Sequence, residues 1–279
     1  MSRVAIVRLA VVAVLAALLL AAPSRADDAR LETVEIVTAG ADPADALPIV
    51  VAVHGLGGTP RHFAHVFDGF PERARIVLPR APERRSVGFS WFPLPWDGVD
   101  QATFSAGVAR SRDLVAALLE RLGREHPGVG RPILTGFSQG GILAFAVGVA
   151  RPELAVRVVP IAGWLPPTLV PDAKPRLPLV PIRALHGEDD DLLPIGRTQR
   201  LVATLSRDGF DATLHAFAHV GHAIQPPVRD ALYAELAAGI EAARAESAAR
   251  MRLPTSRIVP SGTRSPIAVT VIMSGPSSP

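Results

Sequence analysis

The chain has 279 residues, nearly half of them apolar, with no cysteine and a formal net charge of +3. That length fits one large α/β domain or two small ones, of which one is preferred, with ample apolar surface for a core, and the lack of cysteine excludes disulfides, lipid-modified cysteine and thiolate metal sites. The positive charge belongs to the ends: residues 27–246 hold 22 basic and 26 acidic residues, a balance that argues against nucleic-acid binding.

Arg3 and Arg8 precede an uncharged run from Leu9 to Ala22, and Ser24-Arg25-Ala26 offers small residues at cleavage positions. The pattern predicts a secretory signal peptide over residues 1–26, since the run is too short for a comfortable membrane span. A first strand is expected over Thr33–Thr38; as no helix precedes it, it is placed as an antiparallel edge. The next strand, Ile49–Val53, opens into V-H-G-L-G-G-T from Val53 to Thr59. This glycine-rich loop lacks the Lys-Ser or Lys-Thr ending of a nucleotide site, so it is read as an oxyanion loop with the Leu56 N–H as a donor. His54 is expected to fix the loop. Helices follow over Pro60–Phe67, capped by Thr59, and over Gln101–Leu122, with a strand at Ala74–Leu78 between them.

The strand Ile133–Phe137 and the helix Gly140–Ala150 flank T-G-F-S-Q-G-G, Thr135 to Gly141. This is the pattern of a nucleophile elbow. A serine on so sharp a turn stands above the sheet edge, and only glycine neighbours allow the turn, here Gly136 and Gly140. Ser138 is therefore the candidate nucleophile, and the Gln139 N–H at the helix start is the second oxyanion donor. After a strand at Val156–Ile161, the proline-rich stretch 163–179 is expected to be a loop, too short for a helical lid, which leaves an open, shallow site.

The strand Ile182–Leu185 leads into H-G-E-D-D-D-L-L-P, His186 to Pro194. A serine nucleophile needs a base, and the base needs an acid to hold its tautomer; Asp189, Asp190 and Asp191 all stand where that acid belongs. A helix over Ile195–Asp208 and a strand over Ala212–Ala216 precede H-A-F-A-H-V-G-H-A-I, His215 to Ile224. His215 falls in the strand pattern, and His222, behind Gly221, is favoured over His219 as the base. A last helix is expected over Pro227–Ala245, followed by a Ser-, Pro- and Arg-rich tail, 247–279, read as disordered. Within it the apolar stretch Ile267–Met273 has no functional reading. Strands alternating with helices predict a mostly parallel sheet covered on both faces.

With the elbow, H-G-L-G-G, H-G-E-D-D and G-H in this order, the chain resembles the phospholipase/carboxylesterase branch of the α/β-hydrolases, the group containing acyl-protein thioesterases, from about Ala46 to Ala245. The resemblance implies an α/β-hydrolase fold without a large lid domain, with Ser138 and His222 as nucleophile and base. The family pattern H-G-x-x-D, followed by x-x-x-P, puts the acid on Asp190 and matches Pro194. Asp191 stands where relatives often have proline, so it stays open as an alternative. Trp91-Phe92 resemble the family's aromatic pair near the site, though Pro93 follows where aspartate is common; Trp91 and Trp164 are the expected substrate-binding aromatics. No metal or organic cofactor is implied.

The function so implied is an exported serine hydrolase, periplasmic or secreted, that cleaves small-molecule or lipid carboxylic esters through an acyl-enzyme. A thioesterase or peptidase of the same fold and a non-catalytic, hydrolase-like binding protein are the alternatives. No nucleic-acid partner and no membrane span after signal cleavage are expected.

Overall fold

A computed structural model describes residues 30–171 and 179–252. The expected signal segment, residues 172–178 of the proline-rich loop and the tail beyond Arg252 lie outside the described residues.

Among the described residues nine strands and five α-helices are formed: β1 Thr33–Val37, β2 Ile49–Val53, α1 Pro60–Ala64, β3 Arg75–Pro79, β4 Glu83–Arg84, β5 Phe89–Ser90, α2 Gln101–Glu125, β6 Ile133–Phe137, α3 Gln139–Ala150, β7 Arg157–Ile161, β8 Ile182–Gly187, α4 Gly196–Arg207, β9 Ala212–Phe217 and α5 Pro226–Arg252. Seven strands build one sheet in the order β1-β3-β2-β6-β7-β8-β9. β1 is an antiparallel edge on β3, and the other pairs are parallel, as the alternation of strands and helices predicts.

All five residues of β2, I-V-V-A-V, are buried, as befits a strand covered on both sides. Its side chains divide by parity. Val51 and Val53 pack with Phe104 and Leu118 of α2, Ile142 of α3 and Leu205 of α4, whereas Val50 and Ala52 pack with Phe63 of α1 and Leu236 and Ile240 of α5. Three helices thus cover one face of the sheet and two the other. α3 lies deepest, with eleven of its twelve residues buried, which explains a sequence of only small and apolar residues after Gln139.

Some boundaries differ from expectation. The helix predicted over 60–67 is a short α-turn whose cap Thr59 Oγ1 accepts the His62 N–H at 3.2 Å, followed by a 3-10 turn at His65–Phe67. α5 runs to Arg252, so residues 247–252, expected to begin a disordered tail, are helical. The cause is tertiary: the Arg131 guanidinium pairs with Glu246, and the Ser247 hydroxyl donates to the Gly128 carbonyl, tying the last turns to the loop before β6. The small β4–β5 hairpin is unanticipated, its two-residue strands being shorter than any periodicity that marks a strand. The described part of 163–179 contains only the 3-10 turn Pro167–Leu169.

Candidate active site

The residues nominated from sequence gather where the parallel strands end: Leu56 after β2, Ser138 after β6, Asp190 after β8 and His222 after β9. This is the edge at which open α/β sheets place their ligands.

Ser138 has φ 58° and ψ −115°, a conformation that costs a non-glycine residue about 1–3 kcal/mol. Its neighbours have no room for side chains. A Cβ on Gly140 would stand 2.0 Å from the Val53 carbonyl oxygen, and one on Gly136 would stand 2.4 Å from that of Gly140. The Ser138 N–H donates to the Ile161 carbonyl at 2.9 Å, fixing the turn against β7.

A chain of hydrogen bonds leads from the serine. The Ser138 hydroxyl lies 2.9 Å from His222 Nε2, and His222 Nδ1 lies 2.7 Å from Asp190 Oδ2. Because a carboxylate only accepts, Nδ1 carries the proton and Nε2 is left to accept from the serine. Phe137 packs against the imidazole at 4.8 Å between ring centroids. Asp190 is fully enclosed, with a side-chain exposure of 0%, and its Oδ1 accepts the N–H groups of Leu193 at 2.7 Å and Leu192 at 3.1 Å.

The competing residues point elsewhere. Asp191 is exposed; Asp189 is open to solvent and 3.8 Å from Nδ1 of His219, whose side chain is 95% exposed. His215 is a sheet residue stacked on Phe217.

One participant escaped the sequence reading. His186, buried at the end of β8, places Nε2 at 2.8 Å from the Leu193 carbonyl and 3.1 Å from Asp190 Oδ2. Burial pushes its pKa below the ordinary 6.5, which keeps the imidazole neutral, and the Leu193 carbonyl puts the single proton on Nε2. Asp190 Oδ2 therefore faces two imidazole N–H groups, and its carboxylate is gripped on all sides. The available signal was the i, i+4 spacing from Asp190 on a strand end.

Leu56 and Gln139 both line the cleft beside Ser138, Gln139 as the first residue of α3, where the backbone N–H has no intrahelical partner. The Leu56 loop is braced from behind. His54 Nδ1–H donates to the Gly55 carbonyl at 2.7 Å while Nε2 accepts the Ala81 N–H at 3.2 Å, and burial again lowers the pKa of this imidazole. Gly57 N–H bonds to the Phe89 carbonyl at 2.8 Å, the role of the unanticipated hairpin.

Trp91 requires a correction. Expected on the substrate wall, it is 1% exposed and absent from the cleft lining; its indole N–H donates to the His54 carbonyl at 2.9 Å, so it supports the glycine-rich loop after β2. The Gln139 side chain holds the same segment, accepting from the Trp91 N–H at 2.9 Å and donating to the Phe92 carbonyl at 2.8 Å. Trp164 does line the cleft, stacked on Phe104 with centroids 5.8 Å apart.

The cleft has a volume of about 620 Å³, with apolar walls from Phe63, Leu94, Phe104, Ile142 and Trp164. Such a cavity holds a small organic molecule. Among the described residues there is no cluster of three metal-binding side chains, and no helix is long and apolar enough to cross a membrane. Chemically the arrangement can deprotonate a serine hydroxyl, orient the resulting imidazolium and receive negative charge beside it.

Comparison with known proteins bears on the family and the fold. A family model described as Phospholipase/Carboxylesterase matches residues 32–236. Acyl-protein thioesterase 1 of Gibberella zeae is 25% identical over 207 residues, 67% of this chain and 88% of that protein. Acyl-protein thioesterase 1 homolog 2 of Dictyostelium discoideum is 28% identical over 156 residues, 52% of this chain and 70% of that protein. Among solved structures, esterase PE8 is similar with a TM-score of 0.64 at 25% identity, covering 76% of this chain and all of its own. The Bacillus cereus carboxylesterase has a TM-score of 0.59 at 14% identity, covering 74% and 93%, a likeness of fold alone.

Proposed function

The chain belongs to the phospholipase/carboxylesterase family, and from that premise we propose that it hydrolyses carboxylic esters through a Ser138–His222–Asp190 triad and an acyl-enzyme intermediate. The observation that carries the reading is the run of hydrogen bonds from Ser138 Oγ through His222 to Asp190.

In the first step Ser138 Oγ attacks the ester carbonyl carbon while His222 Nε2 takes the hydroxyl proton. The carbonyl electron pair moves onto oxygen, and the alkoxide is received by the N–H groups of Leu56 and Gln139, each such donor being worth about 2.7–4 kcal/mol of barrier. The intermediate collapses with loss of the alcohol, which takes the proton from His222. Water then attacks the acyl-serine, giving its proton to His222, and the second collapse returns that proton to Ser138 Oγ and frees the acid. Asp190 stays ionised throughout and holds the imidazole in the tautomer that the first step needs.

The same attack cleaves a thioester, and relatives of this chain are named acyl-protein thioesterases. Export is part of the proposal, supported by Arg3, Arg8 and the uncharged run that follows; N-terminal sequencing of protein from the extracytoplasmic fraction should begin at Asp27.

The test is hydrolysis of p-nitrophenyl esters of increasing acyl length by the full chain beside its Ser138→Ala variant. Loss of turnover in the variant, with covalent labelling of only the parent by a serine-directed phosphonate, is the expected result. Equal turnover by both would remove Ser138 as the nucleophile, and no turnover or labelling by either would leave the binding-protein reading.

A further inference from the structure

The charge of the cleft is one-sided. The folded body is net acidic, yet among the described residues no aspartate or glutamate lines this cavity, while two arginines do: Arg197 from the first turn of α4 and Arg229 from the first turn of α5. Several arginines elsewhere are matched with carboxylates, as Arg75 is with Glu35, Arg131 with Glu246, Arg157 with Glu235 and Arg183 with Asp211. Among the described residues neither Arg197 nor Arg229 has an acidic partner or a side-chain hydrogen bond, and Nε of Arg229 is buried without an acceptor.

Arg197 is also held in place. Its guanidinium lies over the Trp164 ring, 4.8 Å from the centroid, and Trp164 is in turn stacked on Phe104. A guanidinium fixed by one face keeps its N–H edge free, and that planar fork matches the two oxygens of a carboxylate. Arg197 is exposed and its free edge is hydrated, whereas Arg229 is half-buried and its enclosed Nε lacks an acceptor in the protein, the costlier of the two cases.

We propose that the cleft selects esters carrying a second, ionised carboxylate, and that Arg197 and Arg229 are the residues that read it. The inference deepens the ester-hydrolase reading and rests on it. An anionic substrate enters a cleft whose described walls carry no carboxylate, and its acid group anchors the molecule so that the ester carbonyl is presented to Ser138. The two arginines approach from separate helices, so a carboxylate on the acyl side and one on the alcohol side are both within the scope of the site.

The experiment compares kcat/KM for matched pairs. On the acyl side, p-nitrophenyl half-esters of linear diacids are set against p-nitrophenyl alkanoates of equal length. On the alcohol side, butyryl esters of 4-hydroxybenzoate are set against those of 4-hydroxybenzamide. The expected ratio favours the anion by about tenfold or more in at least one arm, the scale of one charge-assisted hydrogen-bonded contact. It should shrink in high salt. Arg197→Gln or Arg229→Gln should collapse the ratio in its own arm, and Arg197→Lys, which keeps the charge and loses the fork, should retain part of it; melting curves check that each variant is folded. Ratios at or below one in both arms, or ratios unmoved by both glutamine variants, overturn the proposal while leaving the hydrolase reading intact. If no ester of either kind is turned over, the hydrolase reading fails. Calorimetric titration of Ser138→Ala with monoethyl glutarate then decides the inference: binding that the added Arg197→Gln and Arg229→Gln changes abolish sustains it, and binding that is absent or indifferent to them overturns it.

Discussion

Replacing Ser138 in two ways separates the chemistry of its hydroxyl from the strain of its backbone. Ser138→Ala and Ser138→Gly both remove the hydroxyl that lies 2.9 Å from His222 Nε2, so that loss cancels between them. What differs is the cost of φ 58° and ψ −115°, which alanine bears and glycine does not. The strain is worth about 1–3 kcal/mol, and the greater freedom of glycine in the unfolded chain takes back about 0.5–1 kcal/mol. The glycine variant should therefore be the more stable by about 1 kcal/mol, seen as a higher urea midpoint and a melting temperature raised by about 2–4 °C for a domain of this size. Both should be inactive toward esters. An alanine variant as stable as the glycine variant, or more so, would show that the elbow stores no strain and that the serine backbone sits there at ease.

Asp190→Asn should lower ester turnover by about 10⁴-fold, because the amide favours the wrong imidazole tautomer, whereas Asp191→Asn should leave turnover intact; steady-state rates of the two variants settle which carboxylate orients His222. Gly140→Ala would drive a Cβ to 2.0 Å from the Val53 carbonyl and should abolish soluble expression, while Gly123→Ala, in the open on α2, should stabilise by about 0.5–1 kcal/mol; expression yield and urea unfolding report the contrast. Acid should weaken the fold through His54 and His186, both with pKa values depressed by burial from 6.5. Each stays neutral in the folded state while the unfolded chain takes up a proton below about pH 6.5, so stability is present above that pH and falls on acidification, by at most about 1.4 kcal/mol per pH unit for each group. Unfolding free energies between pH 7.5 and 5 should show this decline, shallower in His54→Asn; an equal slope in the variant would refute a neutral His54.

The parts legible in sequence were those whose cause is local. A valine-rich run such as β2 announces a doubly covered strand, and T-G-F-S-Q-G-G announces its turn because the glycines that permit it are adjacent in the chain. The family resemblance singled out Asp190 from its neighbours, but the physical distinction between it and Asp191 is burial, which three consecutive aspartates do not reveal. Trp91 stands where an aromatic pair is expected, yet side-chain direction decides its contacts, and its indole turns away from the cleft to the His54 carbonyl. The helical turns past Glu246 depend on a partner over a hundred residues away, Arg131, and no window on the local composition contains it.

β9 is the last strand among the described residues and lies at the edge of the sheet, and the loop after it carries His222. During synthesis the imidazole is thus the final piece of the proposed triad to emerge, after the serine and the aspartate. A chain stalled or cut before β9 has an elbow with no base to activate it, and it leaves β8 with six residues of unpaired edge backbone. Unfinished copies are consequently inert as well as sticky, inviting capture by chaperone or protease before any of them can cleave an ester in the wrong place.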